Sequence, residues 1–337
     1  MRLGLSKQLW NCLILFAAFC STMTQATCVF SAQIAAESHV SEKKVGIQAQ
    51  ESELRVQVEG NQVARFVFKD PVISRPYFCD LKSLQGLQLS RTHPPVPGLD
   101  KTDHATMHPG LWLAFGDLCG QDYWRLKAKV RTSRVRVLDT MRADEARFEL
   151  VNEYLSSTET QVVCTERAQY VVRWLPYGYM IVLQSTFMPH ESPLEFGDQE
   201  EMGLGIRLAT PLAVDSQLGG RILDSSGRRN GAEVWGKTAQ WCDYSGPLGG
   251  HWCGMTIFSS PTNFRASWTH ARDYGFVAVN PFGIQAFTKQ AAVPLRVAVG
   301  DSLQLGFAVV IHQTEIESGT EPAEIYTTFQ ELLSKNQ

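Results

Sequence analysis

The chain is defined first by what it lacks. Beyond the N-terminus, no stretch approaches the roughly 18 apolar residues that a membrane-spanning helix needs. No CxxC pair or paired Cys/His spacing occurs, which excludes a structural zinc site. Gly203-Leu204-Gly205 is too short for a phosphate loop and opens no helix, which excludes nucleotide binding. His104 is followed by no glutamate, so HExxH zinc chemistry is excluded as well. Positive charge is not in excess: 31 Lys and Arg face 34 Asp and Glu, for a net charge of −3. That balance argues against nucleic acid and anionic membranes as partners. Internal repeats, low-complexity tracts and, until the C-terminus, helical periodicity are also missing.

The first 26 residues have the form of a signal peptide. Arg2 and Lys7 supply charge, Leu9 to Cys20 an apolar run, and Thr24-Gln25-Ala26 a cleavage site. Residues 27–50, small and polar, are expected to form a flexible tether. Export, to a periplasm or beyond, follows as an expectation, with no membrane contact after signal removal. Cleavage leaves 29 basic against 34 acidic residues and six cysteines, in a compartment that permits disulfides.

From Glu53 onward, short alternating segments follow one another, including Gln62–Phe68, Trp124–Val130, Ala146–Tyr154, Tyr179–Phe187, Glu233–Asp243, Trp252–Phe258, Ser267–Tyr274 and Ser302–His312. Turn residues separate them, and only Pro322–Lys335 repeats at helix spacing. Many strands without intervening helices predict an all-β fold. The expectation is a large antiparallel β-sandwich, supersandwich-like, as a single domain over 51–337 with one short C-terminal helix.

Polar chemistry concentrates in Asp103–Trp124, which holds His104, His108, Trp112, Asp117, Asp122 and Trp124 among turn-forming glycines and a proline. Imidazoles offer proton transfer or metal ligation, and indoles a flat apolar surface. His104 and His108 stand four apart and can share a helical turn, which makes them candidate ligands for a divalent metal. Read as a strand, Trp235–Asp243 puts Trp235, Lys237, Trp241 and Asp243 on one face, a pattern suited to a sugar. His270 and Arg272 share a face of Ser267–Tyr274, where the cation would depress the imidazole. Of Glu200 and Glu201, one at most faces a cleft. A hairpin symmetric about Ser245–Gly250 would set Cys242 opposite Cys253, close enough for a disulfide.

Taken together, these segments resemble the DUF6807 family, often labelled PmoA or methane-oxygenase-like. The resemblance rests on Arg75-Pro76-Tyr77; on Asp103-His104, Gly110-Leu111-Trp112, Gly116-Asp117 and Asp122-Tyr123-Trp124; on Phe196-Gly197-Asp198 with Glu201 and Arg207; on Trp235-Gly236-Lys237 and Trp241 to Gly246; and on Trp268, His270, Arg272 to Gly275 and Asn280 to Gly283. It spans roughly residues 60–315. The family commonly reads DHPHHRGLW where this chain reads DHATMHPGLW, one residue longer and one histidine poorer. The resemblance implies a bacterial β-sandwich protein from carbohydrate-rich settings.

Three functions compete on this basis. The first is a carbohydrate-active enzyme, of hydrolase, lyase or epimerase type, acting on a small-molecule or oligosaccharide substrate. It would use His104, His108, His270, Asp243 and Glu201 as acid–base groups, and Arg75, Trp112, Asp117, Trp235, Lys237, Trp241 and Arg272 to bind. The second is a metal-dependent oxygenase on His104 and His108. The third is a non-catalytic glycan-binding protein.

Overall fold

The chain folds as two eight-stranded antiparallel sheets packed face to face. In this computed structural model, residues 44–317 and 319–334 are described. The signal-peptide segment and most of the expected tether lie outside them. All described residues belong to one compact unit.

The first sheet runs, edge to edge, through Val45–Ala49, Glu53–Val58, Asn61–Val67, Tyr77–Cys79, Leu111–Phe115, Met202–Arg207, Phe276–Asn280 and Trp268–Arg272. The second runs through Arg221–Asp224, Trp241–Leu248, His251–Ser259, Leu303–Thr314, Gly178–Pro189, Val162–Leu175, Glu145–Leu155 and Val130–Leu138. Alternation decides what faces the core. Leu54, Val56 and Val58 are buried in one strand, and Leu111, Leu113 and Phe115 in another, against Phe148, Tyr179, Ile181, Ile257 and Val309 of the opposite sheet. The central strands Leu111–Phe115 and Met202–Arg207 are buried on both faces. For the first sheet, this means the outer face is also covered. Trp112, Ala114, Phe276 and Ala278 form a second apolar cluster there with Trp124. The helix Pro322–Ser334 covers part of the second sheet's outer face, seating Ile325, Phe329, Leu332 and Leu333 on Met180, Val182, Phe258 and Val310.

Four expectations are corrected. Trp124–Val130, read as a strand, runs as turns and bends, and the strand there begins only at Val130. Val45–Ala49, assigned to the tether, pairs with Glu53–Val58, and Val45 is fully buried. Glu233–Asp243 is not a strand: Asn230–Val234 is a helical turn, a loop follows, and the strand begins at Trp241. The expected disulfide also fails on register. Gly249 and Gly250, with φ of +62° and +84°, form a two-residue turn between Leu248 and His251. Two positive φ values are what a tight hairpin turn demands and glycine supplies. The strand therefore continues through Ser245-Gly246-Pro247-Leu248 instead of turning there. Cys242 lies opposite Ile257, Cys253 opposite Gly246, and both thiols are free.

The first strand is part of the folded sheet. A chain beginning at residue 44 keeps it and serves as the reference. A chain beginning at 51 loses Val45 and the Lys44 ammonium that sits 3.5 Å over the Trp174 ring. It should be less stable by about 2–4 kcal/mol, the cost of deleting one or two well-buried side chains. Equal denaturant midpoints for the two would refute the assignment.

Candidate functional site

The loop from Arg91 to Pro109 crosses the outer face of the first sheet, and three buried arginines hold it there. Arg91, only 1% exposed, donates to the carbonyls of Lys101 (2.9 Å), Asp103 (2.5 Å), His104 (3.2 Å) and His108 (2.9 Å). Arg75 donates to the carbonyls of Met107 (2.6 Å), Tyr123 (3.2 Å) and Trp124 (3.1 Å). Arg207, on the sheet itself, donates to Asp103 Oδ1 at 2.7 Å, with its guanidinium 4.5 Å over the Tyr274 ring. Burial pulls Arg91 down to about 10, with Arg207 beside it as the next cause, and Arg75 down to about 9. Both remain charged at neutral pH. Gly110 closes the loop at φ +154°, where a Cβ would meet the Phe78 carbonyl oxygen at 2.4 Å. Only glycine fits so close to the neighbouring backbone.

Within this frame the two loop histidines differ. The His108 amide bonds the His104 carbonyl at 2.9 Å, but this closes a loop turn and not the expected helical one, since His104 has φ +49°. His108 is buried and its ring lies parallel to His104, Phe276 and Trp112, at 4.7, 4.7 and 4.9 Å between centroids. Burial first, and then the charges of Arg207, His104, Arg91 and Arg75, hold its pKa far below the usual histidine range. His104 is exposed, and its Nδ1 lies 2.8 Å from Asp103 Oδ2. The carboxylate can only accept, so Nδ1 carries the hydrogen. Burial would raise Asp103, but its bonds to Arg207 and His104 lower it to about 2. The parallel rings do not fit a shared metal. Imidazole lone pairs lie in the ring plane, and planes only 16° apart at 4.7 Å do not converge on one ion. Among the described residues, no three His, Cys, Asp or Glu groups are placed to hold a metal.

The second half of the site sits two strands away, joined through Phe276, whose ring lies 5.0 Å from His270. His270 Nδ1 lies 3.2 Å from the Glu200 carbonyl, which fixes the hydrogen on Nδ1 and the lone pair on Nε2. Nε2 is 3.5 Å from Glu200 Oε2. Burial, then the Arg272 charge, pushes His270 down to about 3, so it is neutral at physiological pH. Arg272 Nη2 donates to Glu200 Oε2 at 3.1 Å, and Glu200 stays one-third exposed. Trp235 lies 5.8 Å from the Arg272 guanidinium, and Trp235 and Trp268 both flank Phe287. The result is a partly exposed carboxylate between a cation and a neutral imidazole, with indoles alongside.

The structure thus brings His104, His108, His270, Arg272 and Trp235 to one face, over a buried floor of Trp112 and Arg75. Of the other residues singled out in the sequence, Glu201, Asp117, Trp241 and Asp243 lie apart from this group. Glu201 is paired with Arg125, which also holds Asp122, so its neighbour Glu200 is the carboxylate facing His270. Asp117 Oδ1 accepts from the Gly120 amide at 3.0 Å and shapes a turn. Lys237 is exposed on a loop whose carbonyl accepts from the Thr269 amide. Trp241 and Asp243 belong to the second sheet. Asp243 faces outward there, accepting from Thr256 Oγ1 (2.8 Å), His312 Nε2 (2.9 Å) and Ser245 Oγ (2.5 Å). With Trp241, Arg221 and Glu317 it lines a separate cavity of about 420 Å³. Sequence reasoning missed Arg91 and His312, and named Arg207 only within the family resemblance. The signal for His312 was a lone imidazole ending the apolar run Phe307–Ile311.

Comparison with known proteins comes after this geometry. The family described as "Family of unknown function (DUF6807)" matches residues 53–326. No curated protein matches the sequence. Among solved structures, a galactose mutarotase-like protein from Lactobacillus casei ATCC 334 is similar at 12% identity and a TM-score of 0.39, over 80% of this chain and 100% of that one. The galactosidase domain of an alpha-galactosidase-sucrose kinase gives 9% and 0.41, over 81% of this chain and 41% of that one. A beta-arabinopyranosidase gives 8% and 0.36, over 80% and 38%.

Two outcomes test the geometry. Arg91→Met should destabilise the fold by at least about 3 kcal/mol, because several buried carbonyls lose their donor. An unchanged urea midpoint would refute the role given to this side chain. His270, with its pKa lowered in the folded state, contributes stability that is present above its unfolded pKa near 6.5 and lost as pH falls toward 3. Between those limits the wild type should lose up to about 1.4 kcal/mol per pH unit more than His270→Gln. Parallel stability curves for the two would exclude a buried neutral imidazole.

Proposed function

The chain belongs to the DUF6807 family, and we propose that it is an exported carbohydrate-active enzyme using acid–base chemistry on a sugar or glycoside. The observation that supports this most is the Glu200 carboxylate, partly exposed and fixed between Arg272 and the neutral His270. In the proposed step Glu200 Oε2 takes a proton from the substrate, and His104, held by Asp103, gives one to the departing or ring oxygen. Arg272 holds the carboxylate in place, and the buried lone pair of His270 Nε2 lies behind it to share the proton. Trp235 and Trp268 offer indole faces of the kind that take the C–H face of a sugar ring. Arg75 and His108 act beneath, as supports for the loop. The chemistry is assigned to side chains alone, since His104 and His108 do not fit a common metal. Export rests on the N-terminal segment.

A panel of glycosides and oligosaccharides, with product detection, tests the proposal. On the substrate found, Glu200→Gln and His104→Gln should each lower turnover by about 10²–10⁴-fold, the usual share of a positioned proton carrier. Trp235→Ala should mainly raise KM. If a sugar binds but neither Glu200 nor His104 affects turnover, or no turnover occurs, the enzyme assignment falls and a glycan-binding role takes its place.

A further inference from the structure

A cavity of about 540 Å³ adjoins the proposed site and enters nothing described so far. Its lining is unusual in containing no charged side chain. Ser225, Ser226, Thr238, Gln240, Ser260 and Tyr326 contribute hydroxyls and one amide, with Ala239, Pro261 and Ala266 between them. Of the charged residues flanking the lining, Asp224 and Arg228 pair with each other, while Arg265, next to Ala266, lies against the Phe264 and Trp268 rings at 5.2 and 5.9 Å. Asp224 is buried, with its carboxylate bonded to Arg228 Nε at 2.7 Å and to the amides of Ser226 and Arg228 at 2.9 and 3.1 Å. The second arm of Arg228 donates to the Thr238 carbonyl at 2.7 Å. The lining itself consists of neutral groups that both donate and accept, although the Ser225 hydroxyl already accepts from the Gln240 backbone amide at 3.0 Å and the Ser260 hydroxyl bonds Thr262 Oγ1 at 2.8 Å. Such groups match hydroxyls, and they leave an anionic ligand without a counter-charge.

Register connects this cavity to the Glu200–His270 site. Thr238 forms an antiparallel bridge with Trp268. Residues opposed in such a bridge project to the same face. Trp268 and His270 share that face, being two apart in one strand, a step of about 7 Å. The line His270, Trp268, Thr238 therefore leads from the proton carriers, past an indole, into the hydroxyl-lined cavity. The cavity volume falls within the roughly 300–1,000 Å³ of small-ligand sites.

We infer that the substrate is a neutral oligosaccharide of at least two units. One unit sits at Glu200, and the chain extends past Trp268 so that further units lie among Ser226, Thr238, Gln240 and Tyr326. This rests on the acid–base reading above for the first unit, while the cavity stands on its own geometry.

The test is calorimetric binding to the full folded protein of gluco-, manno-, galacto- and xylo-oligosaccharides of one to four units, beside oligogalacturonides of equal length. One neutral series should tighten at least tenfold between one and three units, and the galacturonides should not. The double variant Ser226→Leu, Thr238→Leu changes two exposed side chains and should keep the wild-type melting temperature. It should bind the single sugar unchanged and lose the gain with length. Binding of no neutral sugar, tighter binding of the galacturonides, or a length gain that survives the double variant overturns the inference. Glu200→Gln separates the two ideas. A length gain without Glu200-dependent turnover sinks the acid–base proposal alone, whereas turnover without a length gain sinks the oligosaccharide alone.

Discussion

The candidate site depends on a guanidinium that faces no solvent. Arg91 is 1% exposed and directs its two terminal nitrogens at four backbone carbonyls of the loop that carries Asp103, His104 and His108, leaving only Nε without a partner. Burying a charge is costly unless its hydrogen bonds are made, and here the bonds go to a segment with few backbone partners of its own. The planar fork suits this task, since it reaches several acceptors from one rigid group. Arg75 adds one bond to the loop, at the Met107 carbonyl, and two to the carbonyls of Tyr123 and Trp124, and Arg207 anchors Asp103. Without these three cations the loop has little reason to lie across the sheet, and His104 has no fixed place.

Loop and sheet together make an environment in which adjacent imidazoles differ. His108 and His270 are buried among aromatic rings and cations, which disfavour a further positive charge. His104, four residues before His108, is exposed and tied to a carboxylate. A neutral buried histidine can order its surroundings through a fixed tautomer without adding charge. An exposed one with an anionic partner is better suited to exchanging protons with a ligand. Glu200 gains its place in the same way, from Arg272 and the His270 ring.

The sandwich has two outer faces, and their chemistries stay separate. On the first sheet lie the imidazoles, Glu200 and the indoles Trp235 and Trp268. On the second lies the Asp243–His312 pair, with Ser245, Thr256 and Arg221 around it. Residues close in sequence, such as Lys237 and Asp243, are divided between these regions because the chain leaves a loop paired to Thr269 and enters the second sheet at Trp241. The same strand continues to Leu248 before turning at two glycines, so Cys242 and Cys253 do not meet.

Much of the architecture was legible in the sequence, because period-two alternation reports directly on which side chains can be buried. That signal located most strands, the all-β class and the C-terminal helix, and the Asp103–Trp124 block was recognisable as site material from residue types alone. Alternation says nothing, however, about which sheet a strand joins or where a hairpin turns. Sheet membership separated Asp243 and Trp241 from His270. A turn placed two residues later than the composition suggested changed every partner in that hairpin. Adjacent glutamates look alike in sequence, and only the positions of Arg125 and Arg272 in space distinguished Glu201 from Glu200. The roles of Arg91 and Arg207 were invisible for the same reason. Their partners are carbonyl oxygens, which every residue carries, and only the tertiary fold decides which of them a buried cation will find.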